Sequence, residues 1–154
     1  MLVTVVFTWS EVRLSAVKGV DRNLRALYKG RRRLFGRDSG WDENIIGALG
    51  EDAVAKHLDR YPSRGPELDY EGDVGHVQVR ATTHPLGRLI VKREDADGAA
   101  FVLARVTEPV VVLVGWLYGH EAKRDQWWEP TAHSPAYFVP EHALRPMDGL
   151  PPTL

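Results

Sequence analysis

Cysteine is absent from all 154 residues, which removes a disulfide scaffold, a zinc ribbon and a thiol nucleophile together and fits a reducing compartment, so the cytoplasm is the expected location. No apolar run reaches bilayer length. Residues 1–8 are apolar but lack a basic leader, a cleavage site and the length to span, so no membrane association is expected. The six histidines, at positions 57, 76, 84, 120, 133 and 142, fall into no His-Glu-x-x-His or other zinc spacing. A P-loop, a dinucleotide fingerprint and a Gly-x-Ser-x-Gly elbow are also missing. Zinc-protease, nucleotide-cradle and serine-hydrolase chemistry thereby lose their usual sequence support.

What is present suits one compact domain over residues 1–154: a basic N-terminal helix (about 11–37), a core (about 42–117) and a Trp/Pro-rich C-terminal wrap (118–154). The net charge of −1 hides an asymmetry, because Glu11–Arg37 holds nine Lys or Arg against two acids. That segment carries +7 and leaves −8 to the rest. A basic element beside an acidic body suggests a polyanion partner for the first and metal ions for the second.

Residues 2–8 read as a strand and Glu11–Lys29 as a helix whose Val17, Val20, Leu24 and Leu27 make the expected buried stripe. Lys18, Arg22, Arg25 and Lys29 recur opposite them, and Gly30 ends the helix before Arg31, Arg32 and Arg33. Asp42 or a neighbour is expected to cap a second helix over about 44–58. Strands are then expected at 68–74, 77–82, 89–91, 101–106, 110–117 and 137–139, with Thr107-Glu108-Pro109 a hairpin link. The order points to an α/β (α+β) fold, a mixed sheet flanked by helices.

Glu51 is the first anomaly in this pattern. Its helical neighbours Gly47, Ala48, Val54 and Ala55 are small or apolar, while Asp52, Lys56, Asp59 and Arg60 line the expected outer face. A carboxylate on the packed side needs a partner or a cation. The second anomaly is Gly72–Arg80, read as two strands around a Gly75-His76 turn. A two-residue turn sets Val74 opposite Val77 and Asp73 opposite Gln78, with Arg80 on the Gln78 face and the valines on the other. In that register Asp69 faces Thr82 and Glu71 faces Arg80.

Together, Glu51 within Gly47–Leu58, Asp73, and Gln78-Val79-Arg80 resemble the PD-(D/E)XK, restriction-endonuclease-like superfamily, whose pattern is a helical Glu, a strand Asp and then Glu-x-Lys. The resemblance covers about 44–82. It implies a restriction-endonuclease-like mixed β-sheet core and a divalent-metal-dependent DNA endonuclease, with Mg²⁺ or Mn²⁺ held by Glu51, Asp73 and Gln78, and Arg80 completing the catalytic set. Asp69 is the alternative to Asp73, its spacing to Gln78 being closer to the family's. Gln78 replaces Glu, and Arg80 replaces Lys with a guanidinium that stays protonated and is unfit as a base. The same resemblance therefore also admits a nucleic-acid-binding module with weakened or lost cleavage. Arg22, Arg25, Lys29 and Arg31–Arg33 are the expected phosphate contacts, and cutting both strands would call for a homodimer.

Overall fold

The computed structural model describes residues 1–30, 40–60 and 74–152. The β-branched stretches form strands: β1 (Val3–Val6), β2 (Val77–Thr82), β3 (Leu89–Val91), β4 (Ala100–Thr107), β5 (Val110–Tyr118), β6 (Trp128–Glu129) and β7 (Ala136–Val139). Between β1 and β2 lie two helices, α1 (Trp9–Tyr28) and α2 (Trp41–His57), and a short α3 (Gly119–Ala122) follows β5. The architecture is mixed α and β, with a four-stranded sheet in the order β1-β5-β4-β2 and a three-stranded sheet in the order β3-β7-β6. β2 and β4 run parallel, and the other pairs of the larger sheet are antiparallel. Thr107 pairs with Val110, so β4 and β5 form the expected hairpin. The strand expected at 68–74 falls outside the described residues except for Val74.

Alternation along the central strands divides the core between the two faces of the larger sheet. Val77 and Val79 of β2 and Ala100, Val102, Ala104 and Val106 of β4 join Leu49, Ala53 and Val54 of α2 on one face. Phe101, Leu103, Val114 and Leu117 take the other face, where Leu89, Val91 and Val139 of the smaller sheet cover them. Each fully buried aliphatic side chain of this kind contributes roughly 1.5–3 kcal/mol. Helix α2 is buried on almost every side because it lies between the sheet and α1, which explains its run of small residues from Gly47 to Ala55.

Two expectations about the helices are corrected. The cap of α2, expected at Asp42 or a neighbour, is Gly40, two residues before Asp42 and without a capping side chain, and the Asn44 side-chain amide donates to its carbonyl at 2.8 Å. More consequentially, α1 is turned over. Ser15, Gly19 and Asn23 are its buried residues, whereas of the expected stripe Val17 (50%), Leu24 (51%) and Leu27 (44%) are exposed and Val20 is half-buried. The cause lies at the helix crossing, where a Cβ on Gly19 would stand 2.5 Å from the Ile45 Cα, so only glycine admits the approach. The residues one turn to either side of Gly19 must then face α2 as well.

Candidate functional site

The polar contacts between α1 and α2 account for Glu51. Glu51 as a residue is 8% exposed, and its carboxylate accepts two hydrogen bonds from the Arg22 guanidinium, one at 2.7 Å and the other between Nη2 and Oε2. One turn before Arg22, Lys18 donates to Asp52 at 2.5 Å, and the Ser15 hydroxyl donates to the other oxygen of Asp52. Further along, Lys56 donates to both oxygens of Glu11 at 2.9 and 3.0 Å. Asp52, expected on an outer face of α2, instead meets α1, whereas Lys56 is exposed as expected and reaches Glu11 at the start of α1. Arg22, expected on phosphate, is engaged with Glu51. Arg25, on the last turn of α1, and Lys29, its C-cap, are exposed, and Arg31–Arg33 lie outside the described residues.

The Gly75-His76 turn forms as expected. Val74 and Val77 exchange backbone hydrogen bonds of 3.0 and 3.1 Å, and Gly75 takes the positive φ of 62° that the first position of such a two-residue turn favours. Asp73, Asp69 and Glu71, the residues this register bears on, lie outside the described residues. Val74, Val77 and Val79 are buried on the α2 side, and Gln78 and Arg80 share the other face, as the alternation predicts.

That division separates the expected constellation. In parallel register Gln78 stands beside Phe101 and Arg80 beside Leu103, both on the face covered by the smaller sheet. A Cβ on Gly50 of α2 would meet Val79 and Ala81 from the opposite side. Glu51 and Gln78 therefore lie on opposite sides of the sheet, and the expected convergence of Glu51 with Gln78 is corrected. The helical-wheel reading rightly took Glu51 to be buried; the packing surface it meets is α1.

Around Gln78 a cavity of about 500 Å³ is lined by His76, Glu94, Asp95, Ala99 and Phe101. Arg80, two residues along on the same face, donates from Nη2 to Asp95 at 3.0 Å and from Nε to the Ile90 carbonyl at 3.2 Å, with its guanidinium 5.0 Å from the Phe101 ring centre. Asp95 also accepts from the Lys92 backbone N–H at 2.8 Å. Lys123 ties the same loop down through the carbonyls of Arg93 and Asp95 and the carboxylate of Asp97. That last contact holds Asp97 below the ordinary carboxylate value. Asp95 was not anticipated from sequence, although the acidic turn Glu94-Asp95-Ala96-Asp97-Gly98 directly follows Lys92-Arg93.

Among the described residues no three of His, Asp and Glu are grouped to hold a metal ion. Glu51, facing Arg22 across the helix pair, does not fit as a ligand shared with Gln78. A Mg²⁺ or Mn²⁺ site is not made by the described residues by themselves. No described helix is long and apolar enough to cross a membrane. Comparison with protein-family models, with curated proteins and with solved structures finds no match to this chain.

Proposed function

We propose that the chain is a DNA-binding module on a restriction-endonuclease-like core in which metal-dependent cleavage has been weakened or lost. The observation that carries this reading is the separation of the cleavage residues: Glu51 is held by Arg22 on the α2 side of the sheet, and Arg80 is held by Asp95 on the other. A carboxylate already satisfied by a guanidinium gains little from a cation, and an arginine in an ion pair is a poorer stabiliser of charge developing on phosphate. The exposed Arg25 and Lys29, leading toward Arg31–Arg33, are the cations this module would set on the phosphate backbone.

A second reading, a divalent-metal-dependent DNA endonuclease, is favoured by the Val74–Val77 turn, the turn from which the sequence pattern expects Asp73, itself outside the described residues, to face Gln78. Calorimetric titration of Mn²⁺ into the full chain, run beside duplex binding and cleavage assays with Mg²⁺, separates the two. The module binds DNA without divalent ions, cuts nothing above background, and Gln78→Glu takes up no more Mn²⁺ than the parent. An endonuclease instead loses cleavage on Asp73→Asn with the fold intact, and Gln78→Glu lowers the Mg²⁺ needed for half-maximal cutting, because a hard cation prefers a carboxylate to an amide oxygen.

A further inference from the structure

The inner face of α1 is fixed to α2 by Glu11 with Lys56, Lys18 with Asp52 and Arg22 with Glu51, and by the close approach at Gly19. The helix has no freedom to roll its apolar side inward without breaking those pairs. That apolar side therefore stays outside. Leu14 is 70% exposed, and Val17, Leu24, Leu27 and Tyr28 continue the stripe at helical spacing. Single exposed apolar residues are ordinary, but a continuous stripe along a twenty-residue helix marks a surface that another surface covers.

We propose that this face is covered by the same face of a second copy of the chain, the two α1 helices packing antiparallel about a two-fold axis near Val17. The charge pattern on the stripe selects this occupant. Arg13 lies four residues before Val17 and Asp21 four residues after it, both exposed. A two-fold at Val17 consequently sets each Arg13 level with the Asp21 of the other copy, forming two symmetric opposite-charge pairs around an apolar centre of Leu14, Val17 and Val20. A surface that is its own complement under a two-fold is what an isologous dimer requires. Parallel packing would instead bring Arg13 to Arg13 and Asp21 to Asp21, a like-charge arrangement that disfavours it. The inference is independent of whether the chain binds or cuts DNA.

Sedimentation equilibrium on the full chain tests it. The parent is expected to dimerise reversibly, and Val17→Glu, at an exposed position that leaves circular dichroism unchanged, to be monomeric. Arg13→Asp and Asp21→Arg are each expected to raise the dimer dissociation constant about tenfold or more, since each replaces two attractive pairs by two repulsive ones. The double variant Arg13→Asp/Asp21→Arg is expected to return to within a few fold of the parent. A parent that stays monomeric at all concentrations, or a dimer indifferent to Val17→Glu, overturns the proposal. A dimer that Val17→Glu breaks but the double variant does not restore overturns the antiparallel pairing.

Discussion

Arg22 reaches across from α1 to hold Glu51 through both carboxylate oxygens, the side chains being 40% and 10% exposed respectively. A fork-to-fork pair of this kind is more than a surface salt bridge, because removing one partner leaves a desolvated charge behind. The open side of Arg22 tempers the loss. Glu51→Ala is expected to cost about 1–3 kcal/mol in urea denaturation, and a cycle with Arg22→Ala to show a coupling above the roughly 1 kcal/mol typical of exposed pairs. Additive single and double variants would show instead that the pair is incidental. Burial of Glu51 was legible in its small, apolar helical neighbours. Its partner was not, because a helical wheel ranks the sides of one helix without saying which element covers each.

At the scale of the element, α1 shows why periodicity alone misled. Its sequence carries two stripes, the apolar one of Val17, Leu24 and Leu27 and a small, polar one of Ser15, Gly19 and Asn23 at four-residue intervals. The ordinary rule buries the first. Here α2 presents the acids Glu51 and Asp52 and the backbone of Ile45, a surface that matches the second. The start of α1 adds a capping box, Thr8 and Glu11 bonding each other's backbone N–H groups. The Lys56 ammonium, and then the Thr8 N–H, hold Glu11 below its ordinary value of 4.5. A carboxyl depressed in the folded state contributes stability that is complete above its unfolded value and is lost as pH falls through the folded one. Melting temperature should accordingly fall less steeply below about pH 4.5 in Glu11→Gln than in the parent. Parallel profiles for the two proteins would mean that the box and the Lys56 contact add nothing in acid.

For the whole molecule the charge asymmetry is partly spent inside the fold. Lys18 and Arg22 pair with Asp52 and Glu51 of α2, so the proposed polyanion interface would rest on Arg25 and Lys29 together with Arg31–Arg33. Neutralising those five to Gln is expected to weaken DNA binding alike for all duplex sequences, and to flatten the log–log salt slope by about 0.9 for each phosphate that no longer meets a cation. Arg22→Gln should lower stability and leave that slope unchanged. An unaltered slope in the five-fold variant would make the basic run a merely solvated face. The strands 77–82 and 89–91, the β4–β5 hairpin, the Gly75-His76 turn and the two faces of β2 could all be read from the chain, because strand alternation and turn chemistry are local properties. The roll of α1, the assignment of Glu51 to Arg22 and of Arg80 to Asp95, and the placing of Glu51 and Gln78 on opposite sides of the sheet were decided only in three dimensions. Each depends on which surface meets which, and residues 29 positions apart, such as Arg22 and Glu51, become neighbours only when two helices cross.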